Sequence, residues 1–305
     1  MGLVKKYCDK LYLKQWGLGF MKGDIAEIIR KKRTDLSFTW MPLADKSISH
    51  ADPFIFKTDD GRVNILFESV STYSLDGKIS LMVCDGNLTP VSQKVVLDTN
   101  DHLSYPFVYK ENGRIYVFPE NGFSGSLYCY EFDQVKREFI NRKEIINLPV
   151  IDPTILKFEN KYWMFATLLG PSFNSDLHIF YSDSLFGPYI LHKGNPVKRN
   201  LNGARPAGNF IEVDGTIFRP AQNCGNYYGE SMTINKIKKL TTSEFEEEEY
   251  MTLKANKKDE FSYGIHTINV VDDLIIVDGQ KSYFQPVQQL GRKLKNIHSK
   301  INLTL

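Results

Sequence analysis

The sequence is poor in cysteine: four in 305 residues, at Cys8, Cys84, Cys129 and Cys224, far apart and with no CxxC pair. That spacing argues against a disulfide framework and against a zinc site, and scattered reduced thiols fit a cytoplasmic location. Long apolar runs are also missing. The opening "MGLVKKYCDKLYLKQW" holds no stretch that reads as a signal peptide or a membrane span, and Gly2 is not followed by the Ser or Thr of a myristoylation signal. Surplus charge is absent too. Lys+Arg 38 against Asp+Glu 36 leaves a net charge of +2, which gives no support to a broad nucleic-acid-binding face. A charged ligand would have to be held by a local cluster.

What the chain has in quantity is apolar and aromatic residues, 42% and 13%, enough for a sizeable core. They are arranged in a repeat. Five segments align: "ADPFIFKTDDGRVNILFES" from Ala51, "SYPFVYKENGRIYVFPEN" from Ser104, "IDPTILKFENKYWMFAT" from Ile151, "ARPAGNFIEVDGTIFRPAQN" from Ala204 and "IHTINVVDDLIIVDGQ" from Ile265. Each begins with a polar or aromatic residue at its second position, followed in four of the five by proline. Then come a short apolar strand, a turn rich in Asp, Asn and Gly, and a second apolar strand. Such turn residues tolerate the positive φ of tight hairpins. A third strand often follows, as in "KISLMVCD" and "SLYCYEF".

A period of about 50 to 60 residues suits a propeller blade of antiparallel strands. The expected fold is therefore all-β: a single five-bladed β-propeller domain over residues 1–305, with blades starting near 51, 104, 151, 204 and 265. Residues 1–50 form an N-terminal closure segment. The fifth repeat is short of outer strands, and "LYLKQWGLGF" (Leu11 to Phe20) is a strand without a hairpin partner. Pairing the two would close the ring and remove its open edge. "DIAEIIRKKR" (Asp24 to Arg33) has helical spacing and an Asp cap, and "PVQQLGRKLKNI" reads as a second short helix. The charge-biased "TTSEFEEEEYMTLKANKKDE" reads as a solvated outer strand and loop of the fourth blade.

In a propeller the start of every innermost strand faces one mouth of the axial channel, and the end of the antiparallel second strand returns beside it. The repeat therefore converges Asp52, Tyr105, Asp152, Arg205 and His266 on one ring. Glu68, Glu120, Thr167, Gln222 and Asp278 form a second tier from the strand ends. Taken singly, an Asp before Pro is a turn former and a strand histidine a core residue. Taken together at equivalent positions, they point to a polar pocket. Tyr228 and Tyr105 are the aromatic side chains expected to stack on a sugar ring, and Asn223 and Gln222 to bond its hydroxyls.

These residues also carry a family resemblance. The "ADP" and "IDP" openings and "YSDSLFGPY" (Tyr181 to Tyr189) resemble the five-bladed propellers of glycoside hydrolase families 43 and 32. "SYPFVYKENGRIYVFPE", "SDSLFGPY", "GARPAGNF", "RPAQNCGNYYG" and "GIHTIN" look like the N-terminal domain of the glucosamine inositolphosphorylceramide transferase family and its bacterial relatives in surface-polysaccharide pathways. In the plant enzymes a separate C-terminal domain carries the recognised transfer chemistry. The hydrolase resemblance implies carboxylates at blade openings: Asp52 matches the base or nucleophile, Tyr105 is a departure, and Asp152 stands where a Glu is implied. Glu120, and after it Glu68, would supply the missing acid, since glycosidic cleavage needs one protonated and one ionised carboxyl. Arg205 and His266 would suit an anionic group. His266 also falls where related hydrolases carry a histidine near a central ion; no cofactor is expected, with an axial metal or water as the alternative.

The functional expectation is a carbohydrate-active propeller of cell-surface polysaccharide or glycoconjugate biosynthesis, binding an anionic glycan or nucleotide sugar and hydrolysing or transferring it. The alternative is a non-catalytic propeller that binds a glycan or its carrier for a partner glycosyltransferase or formyltransferase.

Overall fold

In the computed structural model, residues 12–286 apart from 45, 73 and 87 are described. Cys8 and all of the expected helix "PVQQLGRKLKNI" after Pro286 lie outside the described residues. Five sheets follow one another around an axis, as the fivefold phrase predicts. Blade one holds Ile48–Lys57, Val63–Ser71, Gly77–Cys84 and Pro90–Leu97, and blade two holds Ser104–Glu111, Arg114–Glu120, Leu127–Asp133 and Glu138–Ile146. Blade three runs through Val150–Phe158, Lys161–Leu168, Asp176–Ser182 and Ile190–Leu191. Blade four has Asn202–Pro206 and Ile211–Val213 as a broken inner strand, then Thr216–Asn223, Ser231–Leu240 and Phe245–Lys254.

Blade five is made from both ends of the chain. Its inner strands Ile268–Val271 and Leu274–Phe284 are joined by the N-terminal strand Tyr12–Lys22, paired without interruption from Tyr12↔Phe284 to Lys22↔Leu274, and by Thr39–Trp40. Ring closure by the N-terminal strand satisfies the ladder groups that an open edge would leave unpaired. The first helix is shorter than its periodicity suggests, Ile25–Arg30, capped by Asp24, whose carboxylate accepts from the Ala26 N–H at 2.8 Å. It buries Ile28 and Ile29 in the core of blades four and five.

The hairpin turns obey the chemistry of their residues. Asn112–Gly113, Glu159–Asn160 and Asp214–Gly215 put both central residues at positive φ, the geometry that matches strand twist. Inner strands are buried along nearly their whole length, whereas the outermost strand of blade one is mostly exposed. Aromatic residues fill the wedges between blades: Phe54 of blade one meets Tyr105 and Phe107 of blade two edge-on at 4.9 and 5.9 Å. The acidic run of blade four is an outer strand, as expected, but Glu247 within it turns inward. It pairs with Arg219 at 2.6 Å and with Lys198 at 2.7 Å. Arg219 in turn donates to the carbonyls of Gly203 and Ala204 and so holds the backbone that leads into Arg205. Cys84, Cys129 and Cys224 are buried free thiols. No helix among the described residues is long and apolar enough to cross a membrane.

Candidate functional site

The second position of the repeat is a β-bulge. In blades one, two and three the inner-strand register breaks between Ala51 and Phe54, between Ser104 and Phe107, and between Ile151 and Thr154. Inside each break sits the X-Pro pair, because proline has no N–H to give the ladder and is accommodated where pairing lapses. The residue before it takes a left-handed backbone: φ is 51° at Asp52, 40° at Tyr105 and 49° at Asp152. A left-handed tyrosine or aspartate in a strand stores on the order of 1–3 kcal/mol. The bulge re-aims those three side chains toward the axis.

Each second-strand tier residue stands opposite the last paired residue before the bulge: Glu68 opposite Ala51, Glu120 opposite Ser104, Thr167 opposite Ile151. Two of the carboxylates reach across to the next blade. Glu120 Oε2 accepts the Asp152 N–H at 3.2 Å, and Asp278 Oδ2 accepts the Asp52 N–H at 3.0 Å. The carboxylates thus latch neighbouring blades through the bulged backbone itself.

Above these latches lies a cavity of about 610 Å³. Asp52, Glu68, Glu120, Arg205, His266 and Tyr228 all line it, together with Trp16, Ser104, His102, Phe123 and Phe173. Asp52, Glu120 and His266 are nearly sealed from bulk water, only 2–5% exposed, whereas Tyr228 and His102 reach solvent. The other expected residues stand elsewhere. Asp152, Gln222 and Asp278 lie behind the wall. Tyr105 is fully buried and plugs the axis: its hydroxyl meets Thr154 Oγ1 of blade three at 2.8 Å and accepts the Gly208 N–H of blade four at 2.7 Å. Asn223 does not reach the cavity; its carboxamide oxygen caps a turn by accepting the Gly225 N–H.

Two ion pairs organise the charge. Arg205 donates from Nε and Nη2 to the two oxygens of Asp152 at 2.5 and 3.3 Å, and from Nη1 to Asn174 at 3.2 Å, while Glu120 stands 3.9 Å from Nη2. Gln222 completes the cradle by donating to Asp152 at 2.8 Å. The guanidinium expected as a free anion clamp is therefore committed to Asp152. On the opposite side His266 Nδ1 lies 2.6 Å from Asp278 Oδ2, and Trp16 stacks on its ring at 4.0 Å. Burial lowers the His266 pKa, but the charge and hydrogen bond of Asp278 outweigh it, so the net direction is up and the imidazolium is favoured.

Asp52, His266 and Asp278 bring ligand atoms within 4.8 Å of one another. They already satisfy each other. Asp278 Oδ1 accepts the His266 and Thr267 N–H groups at 3.0 Å, its Oδ2 serves Asp52 and His266, and Thr267 Oγ1 donates to Asp52 at 2.8 Å. That arrangement places an imidazolium against Asp278, with Asp52 3.9 Å away.

With the two cations paired off, three cavity carboxyls remain without a full counter-charge. Burial, the repulsion of Asp152 and Asp278, and only partial relief from His266 push Asp52 up to about 6. Burial and the neighbouring carboxylates hold Glu68 and Glu120 well above the usual range. The cavity therefore sets Asp52, near 6, beside glutamates displaced toward the protonated acid, the kind of separation that acid–base catalysis uses.

A protein-family model for the N-terminal region of glucosamine inositolphosphorylceramide transferase 1 matches residues 41–276, spanning blades one to four and the first inner strand of blade five. The chain belongs to that family. Relatives include the glucosamine inositolphosphorylceramide transferase 1 of Oryza sativa subsp. japonica, 34% identical over 65% of this chain, and that of Arabidopsis thaliana, 34% identical over 70%. The matches cover 27% and 29% of those proteins' own lengths. Among solved structures, a family 117 glycoside hydrolase from Zobellia galactanivorans superposes with a TM-score of 0.55 at 12% identity, covering 91% of this chain and 92% of its own. The exo-beta-1,3-galactanase 1,3Gal43A from Clostridium thermocellum gives 0.55 at 9% identity, covering 77% and 68%. A thermostable family-43 glycoside hydrolase gives 0.54 at 14% identity, covering 70% and 82%. At these identities the likeness is one of fold: a five-bladed propeller of the glycoside-hydrolase kind.

His102 and Trp16 escaped the repeat reading. His102 lies between blades, upstream of the "SYP" phrase, and Trp16 belongs to the closing strand. No position of the fivefold pattern corresponds to either.

Proposed function

We propose that the protein is a carbohydrate-active propeller that takes a sugar into the axial funnel and cleaves or transfers it by acid–base chemistry, with Asp52 as base and a protonated second-strand glutamate as acid. The observation that carries this reading is the coexistence, in one closed-ended cavity, of Asp52 near pKa 6 and glutamates held above the usual range. Arg205 clamps Asp152 and leaves Asp52 and Glu68 unclamped, which is the arrangement expected of catalysis and not of passive binding. Trp16, Phe173 and Tyr228 supply aromatic faces beside the carboxyls, the mixture that receives a sugar's apolar face and its hydroxyls.

The same charge balance favours an uncharged sugar over the anionic one expected from Arg205 and His266. Both cations have carboxylate partners, so an anionic group would add to buried negative charge without a free counter-ion. The test is calorimetric binding and product release across neutral, anionic and amino oligosaccharides and nucleotide sugars. We expect turnover of a neutral glycan, with Asp52→Asn binding it and not turning it over. Binding confined to anionic sugars would refute the charge argument.

A second reading, a glycan-binding module serving a partner transferase, is favoured by one observation: the family match falls on the N-terminal region of glucosamine inositolphosphorylceramide transferase 1. Binding without turnover across the panel would establish it in place of the first.

A further inference from the structure

We propose that Glu68, and not Glu120, is the proton donor of the funnel, and that His102 positions it and connects it to solvent. This rests on the acid–base reading above. Glu120 lines the cavity too, but its Oε2 already accepts the Asp152 N–H and lies 3.9 Å from Arg205. An accepted backbone N–H and a nearby guanidinium oppose the rise that burial and Asp152 impose, and they tie this carboxyl to the blade-three bulge.

Glu68 has neither. Its direct polar partner is His102 Nε2 at 3.2 Å. Asp52, Asp152 and Asp278 face it electrostatically and favour the protonated acid, with Arg205 in weaker opposition. Burial lowers the His102 pKa, so the neutral ring is favoured and this partner does not draw the proton off Glu68 as an imidazolium would. Asp76 and Arg205 are the charged groups that act on His102, in opposite directions.

The pair is built into a notch. A Cβ at Gly77 would fall 2.7 Å from Glu68 Oε1, 2.7 Å from His102 Cε1 and 2.4 Å from the Leu103 carbonyl, so the glycine makes room for the contact. On the far side of the imidazole, Nδ1 stands 3.0 Å from both the Leu75 carbonyl and the Gly77 N–H. One is an acceptor and the other a donor, so both neutral tautomers find a partner. With Nδ1–H bonded to Leu75, Nε2 accepts from protonated Glu68; with Nδ1 accepting from Gly77, Nε2–H donates to ionised Glu68. His102 therefore holds Glu68 in place before and after proton transfer. Its side chain is 29% exposed against 10% for that of Glu68, which makes it the wet side of the pair.

In the proposed step the Glu68 O–H proton passes to the glycosidic oxygen as the bond from that oxygen to the anomeric carbon breaks, its electrons staying on oxygen. Water attacks the anomeric carbon and loses its proton to Asp52. Exchange with solvent by way of His102 then restores Glu68–H and the Asp52 carboxylate.

The test compares Glu68→Gln and Glu120→Gln on matched 4-nitrophenyl and alkyl glycosides of the sugars in the panel above, alongside carboxyl carbon NMR titration of the wild type. We expect Glu68→Gln to lose about 100-fold or more on the alkyl glycoside, the range of general acid catalysis, and far less on 4-nitrophenyl glycosides, whose leaving group needs little protonation. Glu120→Gln should show no such dependence, and the signal absent from Glu68→Gln should remain protonated at pH 7. His102→Leu should lower kcat with KM unchanged, and His102→Gln should recover part of the loss.

A leaving-group dependence found in Glu120→Gln, or a Glu68 that titrates in the ordinary carboxylate range, overturns the proposal while leaving Asp52-dependent turnover intact. Failure of every panel glycoside to react defeats the acid–base reading, and this assignment with it.

Discussion

Asp52→Asn should stabilise the protein, and the size and pH dependence of the gain can be worked out in advance. The native carboxyl is pushed from 3.8 to about 6 by burial and by Asp152 and Asp278, against the pull of His266 and Thr267. A raised acid has its sign fixed: the folded state holds the proton more tightly than the unfolded chain. The ionised form is therefore destabilising above the folded pKa, and the penalty fades as pH falls from about 6 toward 4. At 1.36 kcal/mol per pH unit the full penalty is about 3 kcal/mol at pH 8, less what Asn loses in the hydrogen bond from Thr267. Asparagine also tolerates the left-handed backbone that residue 52 adopts, so the bulge survives. Urea unfolding of wild type and variant between pH 4 and pH 8 should show the variant more stable by about 1–3 kcal/mol at pH 8, with the gap closing below about pH 4. Each kcal/mol corresponds to roughly 2–4 °C in Tm for a chain of this size. A variant equal to or weaker than wild type at pH 8, with a flat difference across pH, would refute the reasoning. It would mean that Asp52 is paired as comfortably as Asp152.

Arg205→Met should destabilise by about 3–5 kcal/mol in urea unfolding by leaving Asp152 buried without its cation, whereas Arg205→Met with Asp152→Asn should lose far less; additive effects would deny the pairing. Tyr105→Phe removes the hydroxyl shared by Thr154 and the Gly208 N–H, and should cost about 1–3 kcal/mol by the same assay with little change in sugar affinity, because the ring lies below the cavity. Gly208→Ala should abolish cooperative unfolding near room temperature: φ is +119° there and a Cβ would stand 1.9 Å from the Ile268 carbonyl, where blades four and five meet at the axis. A soluble, cooperatively folded Gly208→Ala protein would contradict the close approach.

The reach of the repeat phrase, and its limit, follow from what a repeat encodes. A hairpin unit whose turns carry Asn112–Gly113 and Asp214–Gly215 can only be antiparallel, and five of them with an unpartnered N-terminal strand leave ring closure as the way to bury every edge. Of the five polar second positions, Asp52, Arg205 and His266 line one cavity, whereas Tyr105 and Asp152 do not. Their direction was less legible than their place in the repeat. The X-Pro pair of blades one to three marks a bulge, and a bulge can aim a side chain into the open mouth, as at Asp52, or down the axis, as at Tyr105. The partners decide between them: the Tyr105 hydroxyl crosses to Thr154 and Gly208, and Asp152 is drawn behind the cavity wall by Arg205 and Gln222. Charge partners were less legible still, because pairing runs between blades while the phrase runs within one. Arg205 is claimed by Asp152 of the preceding blade; Glu68 looked like a lesser copy of Glu120, yet its partner His102 lies in the link between blades one and two and at no repeat position. The repeat thus specifies which groups arrive at the mouth. Which of them remain chemically available there is decided by the contacts between blades: Asp152 claims Arg205, the Asp152 N–H occupies Glu120, and Glu68 is left with His102.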